Sequence, residues 1–464
     1  MITAISCGTF LFNAQAETFG DFTYTDHGDS VTITGYTAVS FSAVNIPAEI
    51  GGKPVTAIGK KAFYCVGVTA LMIPGSVTSI GDYAFGSCHY LKAVTIPAGV
   101  KSIGTGAFYY CESMEKLTLS TGLTTIGEEA FGYCAKLTEV VIPAGVTSIG
   151  DGAFINCTAL EQVSIGGDLV SIGSWIFEGC GNIKRVTFGN GMKKIPGWLF
   201  ARCRVLSSVK IPRSVNSIDE GAFSGCRALK EVELPSSLSS IGGGAFSGTS
   251  LTTVTLPASV ESIGDGAFFG TSLTIVTIPA SVESIGQRAF GYCGSLKRAT
   301  FLGAAPALGD EAFVSAADAF TVYWYEGREG FTAPTWQGYP AWMVPKGPEI
   351  AVYQPRGFEL VDGIGKKSYG GQRVGSKSPP RTVTIRNRGS RTLRDLSVTA
   401  GGNHPDDFII RKLEVENLPP GAATTFKVSF KPMAKGSRNA VIRIRSNDSD
   451  EGSFEIQFDG HGVK

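Results

Sequence analysis

Histidine is scarce in this chain: His27, His89, His404 and His461 are the only four, and they are scattered along its length. A Ser-His-Asp or Cys-His arrangement would need distant parts to converge, so no catalytic residue is assigned and no enzyme is expected. Neither a glycine loop that cradles phosphate nor a spaced His/Cys metal cluster is present, and no cofactor or metal is expected. An excess of either charge is also missing, with 41 Lys and Arg against 40 Asp and Glu. Without a global basic field, nucleic acid is not an expected partner. No run approaches the roughly 18 to 20 apolar residues of a bilayer-crossing helix, so no membrane span is expected. Lys and Arg are absent from the first 16 residues, yet these form a short apolar run ending in Ala14-Gln15-Ala16. That ending is the small-x-small pattern of a cleavage site, so residues 1–16 are expected to be a signal peptide.

What is abundant is repetition. The segment LTEVVIPAGVTSIGDGAFINCTA, residues 137–159, recurs with small changes along a row of twelve phenylalanines: Phe63, Phe85, Phe108, Phe131, Phe154, Phe177, Phe200, Phe223, Phe246, Phe268, Phe290 and Phe313. Neighbours in this row are 22 or 23 residues apart. One coil of this length cannot bury its own apolar side, so the period implies a solenoid of stacked coils. Many of the 60 glycines, such as Gly81, Gly104, Gly127 and Gly150, fall at the repeat turns.

Within a coil, Leu137, Val140 and Ile142 follow L-x-x-L-x-L spacing, and Pro143 stops the strand by removing a donor. Val146 and Ile149 form a second extended run. Residues 151–157 are too few for a full helix, so one helical or 3-10 turn is expected to drive Ala153 and Phe154 inward. Strand spacing of about 4.8 Å makes twelve coils a rod on the order of 55 Å. Cys65, Cys88, Cys111, Cys134, Cys157, Cys180, Cys203, Cys226 and Cys293 sit two or three residues after the repeat Phe. They are expected to form a ladder of free, packed thiols, because parallel side chains do not present the opposed Cβ vectors that a disulfide needs.

The pattern L-x-x-V-x-I-P-x-x-V-x-x-I-G-x-x-A-F-x-x-C resembles the BspA-like (Treponema pallidum-type) leucine-rich repeats of bacterial surface proteins. The resemblance implies a leucine-rich-repeat solenoid of parallel β-sheets with short helical turns, about twelve coils, in a secreted or cell-surface adhesion protein of a bacterium. The hairpin segment FTYTDHGDSVTITGY resembles the entry segment of the same family. Residues 17–56 are therefore expected to be an N-terminal β-hairpin cap and 57–313 the solenoid, with 314–345, rich in Trp, Tyr and Pro, as an aromatic cap. Short strands separated by Gly, Pro and Asn turns then predict an all-β immunoglobulin-like sandwich over 346–464. Residues 349–462 resemble the ASPM/SPD-2/Hydin-like spacer domains of bacterial secreted proteins.

One region departs from the average coil. Over 184–213 the chain carries Arg185, Lys193, Lys194, Arg202, Arg204, Lys210 and Arg213, besides Lys184, with no acid between them. Trp175 and Trp198 take equivalent places in successive coils, where most coils have Gly, and are expected to stack near the surface. Arg and Trp are the usual anchors of a binding hot spot, so these nine residues are the candidate partner-binding group. The expected partner is an extracellular or surface protein, bound by a monomer. An anionic glycan bound by a structural or polysaccharide-associating envelope protein is the alternative, for which the basic residues Lys366, Lys367, Arg373, Lys377, Arg381, Arg386, Arg388, Arg391 and Arg394 provide a second surface.

Overall fold

The computed structural model describes residues 17–464 except 39–40, 168, 190, 346, 355–358, 361–365, 412, 414 and 449–452. The proposed signal peptide, with Cys7, lies outside the described residues. Two compact units divide the chain, one ending at Val322 and the other running over Tyr323–Lys464.

The first unit is a solenoid. Most coils begin with a strand such as Glu139–Ile142, which pairs in parallel with Gln162–Ile165, itself paired with Arg185–Phe188, residue for residue. After the proline turn a two-residue strand follows, such as Ser148–Ile149, which lies between Thr125–Ile126 and Ser171–Ile172 of the neighbouring coils. Side chains alternate along the first strand, so Val140 and Ile142 are buried while Glu139 and Val141 face out.

The core is a continuous stack of the twelve repeat phenylalanines. Their ring centroids are 5.0–5.8 Å apart and their planes are within 3–18° of parallel. Both ends are closed by aromatics, Tyr36 stacking on Phe63 at 5.3 Å and Phe320 on Phe313 at 5.0 Å. Tyr36 belongs to a hairpin of Phe22–Asp26 and Val31–Tyr36, whose second strand pairs in parallel with Lys53–Ile58 and covers an otherwise open strand edge.

The expected helical turn does not form. From Gly150 to Cys157 the chain makes successive tight turns, and alternate amides reach sideways: Phe154 N donates to Ile176 O at 2.9 Å and Asn156 N to Glu178 O at 2.8 Å. Two positions per coil, two residues before and two after the Phe, hold left-handed backbone, as at Gly152 (φ 60°) and Asn156 (φ 55°). A right-handed helix cannot contain them. The turn segments thus form a third ladder of inter-coil hydrogen bonds, and Gly127 fits its corner because an added Cβ would lie 2.5 Å from the carbonyl carbon of Gly104.

The cysteine ladder is buried and free from Cys88 onward. Each thiol donates to the carbonyl of the preceding coil's phenylalanine, for example Cys157 Sγ to Phe131 O at 3.2 Å. Burial raises the pKa of Cys88 and Cys226 to about 12. Cys65 departs from the expectation: it is disulfide-bonded. It lies two residues after its Phe rather than three, in the left-handed column with Ser87 and Tyr110, and Val66 takes the ladder slot. A thiol reagent added to the folded protein at mildly alkaline pH is therefore expected to leave all eight ladder thiols unmodified, and to label them on unfolding. Rapid labelling of the native chain would contradict this packing.

The second unit contains a two-sheet β-sandwich. One sheet is built on Ile350–Tyr353, Arg381–Asn387, Ala423–Phe430 and Phe408–Arg411, the other on Lys366–Arg373, Ser453–Val463, Gly436–Arg445 and Ser397–Gly401. Val383, Ile385, Phe426, Val428, Phe430, Ile442 and Ile456 fill the space between them. Asp407 is buried and is ion-paired with Arg438. The 3-10 turn Pro405–Asp407 is the only helical element among the described residues.

Candidate functional site

The solenoid presents three surfaces: the first sheet, the sheet of two-residue strands, and the ladder of turns. The first sheet offers mostly Thr and small residues, and the regular rows beneath all three surfaces are consumed by stacking. Sites must therefore come from columns whose side chains vary. In the turn ladder these are the two left-handed columns, the position three before the Phe and the position just after it.

The nine candidate residues are distributed over all three surfaces. Arg185 and Lys210 point out from the first sheet, and Lys194 lies in the second sheet, preceded by Lys193. Arg213 sits on the loop that follows Lys210, while Trp175, Trp198 and Arg202 are on the turn ladder, with Arg204 at its exit. Acids one coil away neutralise several of the bases: Lys184 pairs with Glu161 at 2.8 Å, Lys194 with Asp219 at 3.0 Å, Arg202 with Glu178 at 3.4 Å and Lys210 with Glu233 at 3.0 Å. Such exposed pairs contribute at most about 1 kcal/mol each. They do, however, interrupt the basic belt that the linear sequence presents.

Trp175 and Trp198 do occupy one column, both in left-handed backbone at φ 57°. That column holds Gly at 106, 152, 221, 244 and 266 but larger residues in the other coils, so glycine is not its majority residue. Among the described residues no ring contact joins the two tryptophans. Side chains in this column can lean over the next coil: the Trp198 indole covers Gly221, where a Cβ would lie 2.5 Å from the ring, and Tyr83 covers Gly106 in the same manner. Trp175, followed by Trp198 rather than by glycine, remains 41% exposed. Ile176 and Leu199, which replace the repeat Ala, are buried, and the adjacent Phe rings open to 5.6 and 5.8 Å.

A group that the linear reading missed lies on the same ladder. Tyr110 and Tyr133 stack at 4.6 Å with planes 7° apart, Tyr109 packs edge-on against both at 4.7 and 5.5 Å, and Tyr83 meets Tyr109 at 6.4 Å. All four are half-buried. Burial, reinforced by Glu129, raises the pKa of Tyr83 and Tyr109, and burial with the neighbouring Tyr133 does so for Tyr110. Next to this group is a cavity of about 340 Å³ lined by Glu128, Glu129, Asp151, Gly152, Ile155, Trp175 and Glu178. Burial, then the adjacent Glu128, pushes the Glu129 carboxyl above its usual range. The signal was available by column: residues that meet across one coil are 23 to 26 apart in the chain, as in Tyr110–Tyr133 and Tyr83–Tyr109.

Two larger openings carry less chemistry. A shallow groove of about 760 Å³ follows the second sheet and is lined largely by Ile, Ser and Gly, including Ile241 and Gly264. One of about 580 Å³ lies on the sandwich, where Lys366 is already paired with Asp459 at 3.1 Å. Other bases of the sandwich run are similarly engaged, Arg381 over Tyr369 and Arg388 over Trp342 and Tyr353, while Lys367 is buried. Among the described residues, no cluster of three His, Cys, Asp or Glu has metal-binding geometry.

A family model described as BspA type leucine rich repeat region (6 copies) matches residues 56–184, 124–237, 147–273 and 193–319, which together exceed half of the chain. Among curated proteins, none matches. Among solved structures, the chain is similar to a leucine-rich repeat protein from Bacteroides ovatus ATCC 8483, at 25% identity and a TM-score of 0.53, over 71% of this chain and 90% of that one. It is also similar to a leucine rich cell surface protein from Faecalibacterium prausnitzii A2-165, at 28% identity and a TM-score of 0.38, over 63% and 96% of the two chains. A leucine rich repeat protein of T. pallidum gives 28% identity and a TM-score of 0.32, over 50% and 89%.

Proposed function

Because the chain belongs to the BspA type leucine rich repeat family, we propose that it is a non-enzymatic protein, secreted or held at the surface of a bacterium, whose monomeric solenoid binds a protein partner. One observation carries this reading. The turn ladder gathers Tyr83, Tyr109, Tyr110, Tyr133, Trp175 and Trp198 at or near the surface, and large aromatic side chains supply interface area at low entropic cost. Arg202 follows Trp198 on the same ladder and Arg204 stands at its exit, and both are proposed as contacts beside Trp198. Arg185, Lys193, Lys194, Lys210 and Arg213 belong to other surfaces and would serve as secondary contacts. The sandwich is proposed to be an immunoglobulin-like spacer of the ASPM/SPD-2/Hydin type.

Capture from envelope and host-matrix extracts tests the reading. The wild-type chain is expected to retain one specific extracellular protein, and the variant Trp198→Ala with Arg202→Glu and Arg204→Glu is expected to lose about tenfold or more in affinity for it while keeping its unfolding midpoint. Retention on an anionic glycan that salt abolishes, with no protein captured, would replace this reading with that of a polysaccharide-associating envelope protein.

A further inference from the structure

Charge is segregated along the turn ladder in a way that the near-neutral composition hides. The five turn segments 82–88, 105–111, 128–134, 151–157 and 174–180 contain no Lys or Arg, but they hold Asp82, Glu128, Glu129, Asp151 and Glu178. The same segments carry Tyr83, Tyr109, Tyr110, Tyr133 and Trp175. Bases return only at the edges, Lys60 and Lys61 in the turn before and Arg202 in the turn after.

Within this stretch, Gly152 makes the cavity. It stands in the column between Glu129 and Trp175 and has no side chain, so a gap is left where its neighbours have one. Of the four carboxylates around the gap, Glu178 is paired with Arg202 at 3.4 Å, and Asp151 accepts the Ser174 amide on one oxygen at 2.7 Å. Among the described residues, Glu128 and Glu129 are in no ion pair. Two adjacent carboxylates with no cation between them repel, which adds to burial in raising the pKa of Glu129.

We propose that this acidic, aromatic half of the turn ladder is the docking surface for a basic segment of a partner protein, with one Lys or Arg side chain seated between Glu129 and Trp175. The proposal rests on the reading of the solenoid as a protein-binding surface and names the chemistry of what it binds. Charge complementarity selects the occupant: an ammonium or guanidinium group gains charge-assisted hydrogen bonds from the carboxylates and a cation–π contact from the indole. An acidic peptide or a sulfated glycan would meet uncompensated repulsion at the same place. The dimensions fit an extended segment, since four intervals of 5.1–5.4 Å between the Phe rings over 85–177 make the face about 21 Å long, the span of roughly six residues of extended chain.

Fluorescence anisotropy with labelled hexa-arginine, hexa-lysine and hexa-glutamate peptides, at physiological ionic strength and with the full chain, tests this. The basic peptides are expected to bind and the acidic one not. Glu128→Gln with Glu129→Gln is expected to weaken binding about tenfold or more, and Trp175→Ala several-fold without any change of charge. Glu231→Gln with Glu233→Gln, which removes the same charge from the first sheet, is expected to leave affinity within about twofold. Should Trp175→Ala unfold, Trp175→Leu removes the π face while keeping bulk. The proposal is overturned if the basic peptides do not bind, if the Glu128/Glu129 variant binds as the wild type does, or if the Glu231/Glu233 variant loses as much. Failure here would leave protein binding to the capture experiment, and failure of capture would leave this test standing by itself.

Discussion

Phe154→Ala is expected to lower the unfolding free energy of the solenoid by about 3 to 5 kcal/mol. The ring is fully buried and lies between Phe131 at 5.2 Å and Phe177 at 5.4 Å, so its removal opens a void that neither neighbour can reach across. Each ring in the row has two such partners, and backbone hydrogen bonds fix the coil spacing from both sides, so collapse of the void is limited. Urea denaturation followed by far-ultraviolet circular dichroism measures the effect. Trp175→Ala, one coil further and 41% exposed, is the contrast: a change of only about 0.5 kcal/mol is expected. Equal losses at the two positions would mean that the stacked row is not the source of stability.

A second large effect is expected on raising the pH. Burial raises the pKa of Cys88, Cys111, Cys134, Cys180, Cys203 and Cys226 above the ordinary thiol value of 9.0. A thiol whose pKa is higher in the folded than in the unfolded state stabilises the fold fully below the unfolded value. That contribution is lost as pH climbs from 9.0 toward the folded value, which is about 12 for Cys88 and Cys226. One pH unit above the unfolded value, each such thiol costs about 1.4 kcal/mol, so six cost on the order of 8 kcal/mol. Denaturant midpoints measured anaerobically through this window are expected to fall steeply. A variant with Cys111, Cys134 and Cys180 changed to Thr, the residue already present at Thr249 and Thr271 in the same slot, is expected to lose about half of that slope. Identical slopes would show that the ladder thiols ionise without unfolding.

Much of this fold is legible because its period is written in large, invariably buried side chains. The Phe row, the proline-ended strand and the small residue before Phe each have one physical meaning wherever they recur. The turn was misjudged because seven residues taken alone suggest a helical turn, whereas alternate amides are satisfied by the next coil. The clue lay in the columns two residues either side of Phe, where Gly152, Asn156, Gly221 and Gly225 mark left-handed backbone. Cys65 was misassigned through a one-residue offset that moves a side chain from the core column to a half-buried one.

The candidate site was harder to see for the same geometric reason. Reading along the chain joins Lys184 to Arg213 as one basic run, but in the solenoid the nearest charges are one coil away, and Glu161, Glu178, Asp219 and Glu233 answer four of the bases. The tyrosines and carboxylates of the early coils are separated in the chain by intervals that conceal their assembly into one face. In a repeat protein, charge and aromatic patterns belong to columns before they belong to segments.

The placement of partner binding on the turn ladder is tested most directly by comparing two surface variants of equal size for binding to the captured partner. Tyr110→Ser with Trp175→Ala alters the ladder, and Thr277→Lys with Thr300→Lys alters the first sheet; serine already stands at Ser87 in the column of Tyr110, and Trp175 and Thr277 are exposed. Isothermal titration calorimetry is expected to show binding lost by about tenfold or more in the ladder variant and unchanged in the sheet variant. Loss confined to the sheet variant would contradict the placement and move the partner to the threonine-rich face.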